Sequence, residues 1–233
     1  MIRNSDLLFK KLLEFQNQRK EIVDNYDKRC AELERAKGSQ YYTDELRRAE
    51  DTKNAALNAL KAECRPIFDQ TLQSMSEANR ARGMTPPTDD ELRLLQLLKM
   101  KERISETELE AAASTLKENP ACLSVLTEIA HKQGIMRGYM SYAASKEMPV
   151  DVVADVIKGL TLSIRDFMEH DTSKAARLCI ERHAERYGNN PNATPPPKRP
   201  LFTDKAGCYK RIANLSDDAL AAFCRAVDGG ETA

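Results

Sequence analysis

Across most of the first eighty residues an apolar side chain recurs at alternating steps of four and three. That spacing restricts the segment to helices that each lay one seam against a partner helix. The first run is Leu8, Leu12, Phe15, Arg19, Ile22, Tyr26, Arg29, Leu33 and Ala36. Its two arginines weaken the seam without ending it, because their stems can lie on apolar surface while their heads stay in water. The second run is Leu46, Ala49, Lys53, Ala56, Leu60, Glu63 and Ile67, with more small and charged members. Gly38-Ser39 interrupts the pattern, and glycine there can take the left-handed conformation that closes a helix. The spacing therefore predicts two helices, over residues 4–37 and 43–82, each on the order of 50 Å long. Pro66 inside the second should kink it or mark a second helix start.

Two readings of this arm compete. A long charged hairpin can simply be solvated. Alternatively a partner covers the stripe, because the second seam is too poor to cover the first. The second reading makes Leu8, Leu12, Phe15, Ile22, Tyr26 and Leu33 candidate contact residues. Tyr41 and Tyr42, at the expected hairpin tip, join them as exposed aromatics or as a staple of the second helix start.

Charge excludes some functions. Lys+Arg and Asp+Glu both number 36, so the chain carries no net field. A basic block of the kind nucleic-acid binders use is missing, and residues 83–134 hold nine acidic against six basic side chains. Six cysteines lie no closer than sixteen residues apart, without a CxxC pair. That pattern suits a reducing compartment and small packed thiols. The start, MIRNSDLLFKK, has charges throughout and does not read as a signal peptide. No stretch reaches the roughly 20 apolar residues of a membrane span. The expectation is a soluble chain of cytosolic origin.

After Arg82 the texture changes. Residues 83–87, GMTPP, read as a stop and linker. Thr88 with Glu91, and Ser105 with Glu108, have the spacing of capping boxes. Asn119-Pro120 supplies an N-cap followed by proline at the first helical position. Three helices should therefore occupy residues 88–135, closed by Gly134. Their expected core is Leu92, Leu95, Leu98, Leu109, Leu116, Leu126 and Ile129. The first of them is apolar on most of its circumference and should be the most buried helix of the chain. A further helical pair is expected over residues 136–188. Its first member carries Val150, Val153, Ile157, Leu160 and Ile164, and its second starts near Asp171. Residues 189–200 (NNPNATPPPKRP) form a proline-rich linker. A short helical pair over residues 201–233 follows, at 204–213 and 217–227, with Ser216 capping the last helix. The expected fold is all-α: a long N-terminal helical hairpin or coiled-coil arm, then a bundle of short helices.

Chemistry is sparse. Cys179 and His183 share a helical face near His170 and Glu181, but two ligands at that spacing do not make a metal site, and these read as solvent-facing. Cys122 at a helix start and His131 at a helix end read as packing and dipole complement respectively. The sequence carries no phosphate loop, nucleophile elbow or zinc-protease motif. It implies no enzyme, cofactor or metal.

The segment from Thr88 to Ile135, TDDELRLLQLLKMKERISETELEAAASTLKENPACLSVLTEIAHKQGI, resembles structural and assembly-module proteins of tailed phages and prophages of gut bacteria. The layout is similar too: a charged coiled-coil start, a Pro-Pro break, this block, and a closing helix near Leu215 to Leu220. The resemblance implies a capsid-associated or scaffold-like role, with other head proteins or further copies of the chain as partners. It brings no catalytic residue. The alternative is a DNA-binding regulator or DNA-packaging adaptor, with the short helices around Pro120 to Tyr139 as a helix-turn-helix. The acidic balance of residues 83–134 and the absence of an Arg/Lys-rich recognition helix oppose it.

Overall fold

The computed structural model describes residues 3–135, 148–169 and 204–229. Among them every regular element is a helix, as the periodicity requires. In chain order these are α1 (Asn4–Leu33), a 3₁₀ turn (Glu34–Ala36), α2 (Gln40–Arg82), α3 (Asp89–Met100), α4 (Glu106–Thr115), α5 (Pro120–Lys132), α6 (Val150–Glu169), α7 (Lys205–Ala213) and α8 (Asp217–Val227). The helix expected from Asp171, the linker at 189–200 and the Cys179/His183 pair, with His170 and Glu181, lie outside the described residues. No described helix is long and apolar enough to cross a membrane.

Pro66 does not start a second helix, because α2 runs through it from Gln40 to Arg82. Proline removes one backbone donor, but it is exposed here, and buried Cys64 and Phe68 anchor the chain on either side.

The chain divides into two compact units: Met1–Phe9, Phe68–Thr161 and Asp204–Ala233 in one, and Lys10–Ile67 and Leu162–Thr203 in the other. In the first unit α3, α4 and α5 share one apolar core. Leu95, Leu98, Leu109, Leu116, Leu126 and Ile129 are all in it, joined by Ile104, Ala112, Leu123 and others. Leu92 is not, being 41% exposed. Nor is α3 the most buried helix: only Leu95 and Leu98 on it are buried, whereas α5 buries six residues. A helix with leucine on most of its circumference can turn more than one face inward, so its apolar content does not tell which side is covered.

Both capping boxes form with reciprocal bonds, Thr88 with Glu91 and Ser105 with Glu108. Asn119 accepts from the Cys122 amide at 3.2 Å, and its own side-chain amide reaches Glu91 at 3.2 Å, tying the start of α5 to that of α3. At the far end of α5, Gly134 takes φ +72°. The Ile135 amide there reaches back to the Ala130 carbonyl, a Schellman closure. Ser124 Oγ of α5 accepts from the Val150 amide at 2.9 Å and so caps α6. The last turns of α2 are held here as well. Asn79 donates to the Val150 carbonyl and Arg82 to that of Met148, each at 2.8 Å.

The same unit contains α7, α8 and the first turn of α1. Asp204 caps α7 and Ser216 caps α8, while Asn214 at φ +55° ends α7. Tyr209 packs on Phe223 with ring centroids 6.0 Å apart and donates to the Ser5 carbonyl at 2.9 Å.

In the second unit the C-terminal turns of α6 meet the arm. Phe15 stands edge-on to Phe167 at 5.5 Å. Arg19 donates to the Phe167 carbonyl at 2.9 Å, placing a cation at a helix C-terminus, where the dipole favours it. Glu169 is gripped by Lys61 at 3.1 Å and by Arg65 at 2.5 Å. Lys61, and then Arg65, hold that carboxyl below its ordinary range.

Candidate interaction surface

Seam positions of the arm fall into two classes. Leu8, Leu12, Phe15 and Leu33 are buried by the chain itself. For Phe15 this departs from the expectation that a partner must cover it, since Phe167 already does. Beyond Gln16 the arm changes character: residues 17–32 of α1 and 41–59 of α2 contain no buried side chain. Ile22 and Tyr26 stay half-buried there, opposite Ala49, Lys53 and Ala56, because alanine and lysine are too short or too polar to close over them. The result is an open groove of about 410 Å³ between the two helices.

The electrostatics of the groove are built by i, i+3 spacing on each helix and by one link across them. Arg29 donates to Glu32 on its own helix and to Glu45 on α2, both at 3.1 Å. Arg48 donates to the second oxygen of Glu45 at 2.6 Å. Arg48, and then Arg29, therefore hold Glu45 below the ordinary carboxyl range. At the inner end Lys53 Nζ sits 4.1 Å over the ring of Tyr26, a cation–π contact. A hydrogen bond with Cys30 and partial burial push the Tyr26 hydroxyl up to about 12. Asn25 and Thr52 complete the walls.

The tip residues separate. Tyr42 is a staple: its amide donates to Ser39 Oγ at 3.1 Å and its hydroxyl to Glu34 at 3.3 Å. Tyr41 is 60% exposed, the tip aromatic offered to solvent. Gly38 at φ +89° makes the turn, and α2 begins three residues earlier than the apolar spacing indicates.

Two features lie off the seam. One is the outer face of α3, where Leu97 and Met100 are 62% and 84% exposed. Its signal in the sequence is the excess of leucine around that helix. The other is a polar cluster in the first unit. Ser5 Oγ donates to Asp228 at 2.6 Å and accepts from Lys205 Nζ at 2.8 Å, and Lys205 also reaches Asp6 at 2.5 Å. Ser5 is wholly buried with each polar group engaged, so the cluster fastens the fold and offers no access to a ligand. Nothing in the local sequence marks it. Cys122 is buried, and burial pushes its thiol up, opposite to what a reactive cysteine needs. Among the described residues no three of His, Cys, Asp and Glu converge as metal ligands would.

No protein-family model, curated protein or solved structure matches the chain.

Proposed function

We propose that this chain is a non-enzymatic assembly protein of a tailed phage, acting through helix-to-helix contacts with other head proteins or with further copies of itself, in the virion or in the host cytoplasm. The observation that carries this reading is the distal arm. Its two helices stand together over residues 17–32 and 41–59 without burying a single side chain. A helix pair of that length is marginal on its own, since most helical stability comes from packing an apolar face. A third helix laid on Ile22, Tyr26 and Ala49 would supply the missing cover. The likeness of residues 88–135 to phage assembly modules supports the choice of partner class.

The test is co-expression of the tagged full chain with the products of its neighbouring genes, followed by capture and mass spectrometry of assembled particles. One head protein should co-purify in fixed stoichiometry, and Ile22→Asp should abolish it. Capture of no neighbour, with the chain missing from both particles and their precursors, overturns the reading.

A further inference from the structure

We infer that the distal arm pairs with the distal arm of a second copy, α1 of each lying over α2 of the other, in a twofold four-helix bundle. This rests on the reading of the arm as a binding surface and names its occupant.

The face lies wholly within the compact unit that holds Lys10–Ile67. Its open groove has two unlike walls. α1 contributes large apolar side chains, Ile22 and Tyr26, and α2 only small ones, Ala49 and Ala56. A surface with a large row beside a small row is complementary to itself. Turned over about an axis along the arm, it sets the large row of each copy on the small row of the other. Ile22 and Tyr26 of one copy then fill the room above Ala56 and Ala49 of the second. Turned end for end instead, large would meet large, and small would face small across a void. The twofold contact is isologous and closes at two copies. Two hairpins packed in this way make a four-helix bundle, which covers the seam of both.

Charge does not oppose the pairing. Arg29 is answered by Glu32 and Glu45, Arg48 by Glu45 and Lys53 by Glu50, all on the same arm. These three cations meet three anions, so neither copy brings an unanswered charge from this set to the contact. Tyr41 extends the same face. It stands four residues before Glu45, the spacing that stacks side chains on one side of a helix, and it is 60% exposed. Tyrosine is among the residue types that anchor protein interfaces.

Area selects this face as well. Residues 17–32 beside 41–59 make a surface about 24 Å long and about 20 Å across two helices. Two copies laid face to face would bury on the order of 1,000 Å², the least a specific interface needs. The exposed side of α3, a single helix about 18 Å long, gives well under half of that.

The experiment is sedimentation velocity on the full chain from about 1 to about 50 µM, the affinity range of a small interface. The unmodified chain should pass from monomer to dimer and stop there. Ile22→Asp with Ala49→Asp should stay monomeric, and helical circular dichroism checks that it folds. If it does not, Tyr41→Ser with Thr52→Glu, at two exposed positions, takes its place. Cross-linking reads the arrangement. Asn25 and Thr52 line opposite walls of the groove. Asn25→Cys and Thr52→Cys chains, made separately, mixed and oxidised, should join as a disulfide-linked mixed dimer. Neither should join to itself beyond the level of the unmodified chain. A monomeric unmodified chain, growth past the dimer, a dimer that survives the substitutions, or a mixture without the mixed cross-link each overturn the inference. A dimer that captures no neighbouring gene product leaves the inference standing and sinks the head-protein reading. A monomer that captures one does the reverse.

Discussion

Ser5 and Asp228 are joined twice: the Ser5 amide donates to one oxygen of the Asp228 carboxylate at 2.7 Å and the Ser5 hydroxyl to the other at 2.6 Å. The amide is one of the orphan donors at the start of α1, so Asp228 serves as that helix's cap although it lies 223 positions away. A carboxylate there also complements the helix dipole. Asn4 donates to the Val227 carbonyl at 2.8 Å and reinforces the junction.

Asp228→Ala should lower stability by about 1–3 kcal/mol, since it leaves buried donors without a charged acceptor. Ser5→Ala should cost a similar amount. In a double-mutant cycle by urea denaturation the pair should couple by at least about 1 kcal/mol. Strict additivity would show that the two act independently.

Leu95→Ala should cost about 2–5 kcal/mol, because Leu95 lies in the core of α3, α4 and α5. Leu92→Ala, on the exposed side of the same helix, should change stability by about 0.5 kcal/mol or less. Thermal melts of the two variants settle which face of α3 is covered. Equal losses would refute the assignment.

Phe15→Ala should destabilise by about 3–5 kcal/mol through loss of its packing on Phe167. Ile22→Ser, in the open groove, should cost at most about 1 kcal/mol. Phe15 is therefore a poor probe of association, because its loss disturbs the fold first. Chemical denaturation of both variants, read beside their sedimentation, separates the two effects.

Glu108 supplies a pH signature. The hydrogen bond it accepts from Lys101, then those from the Ser105 amide and hydroxyl, hold its carboxyl down at about 2. A folded-state value below the unfolded one contributes stability that is fully present above the unfolded value of about 4.5 and is lost as pH falls toward about 2. The melting temperature of Glu108→Gln should lie below that of the unmodified chain near neutrality. The gap should close over that acidic window. A gap that persists at about pH 2 would show that packing, and not charge, causes it.

Local chemistry is legible in the chain alone. A capping box needs only four consecutive residues, so Thr88–Glu91 and Ser105–Glu108 can be read directly, as can the Asn119-Pro120 start and the Gly134 stop. The seam is legible as spacing, which is why Ile22, Tyr26, Ala49 and Lys53 do line one groove. Spacing does not give which seam positions the chain covers by itself. Phe15 is covered by Phe167, and Ser5 is tied to Lys205 and Asp228, each across more than a hundred residues with no local mark. Leu92 is misplaced for a different reason. On a helix with leucine on most sides, periodicity leaves the buried direction open.

The missing core of the distal arm has a kinetic side. Residues 17–32 and 41–59 hold no buried side chain, so their amide protons should exchange with solvent through local opening while the amides of α5 wait for a far larger event. Salt screens the Arg29–Glu45–Arg48 link and hastens that opening. The arm is thus a segment whose order can be changed by its surroundings at little cost to the rest of the molecule, and deuterium uptake there becomes a gauge of whatever lies against it.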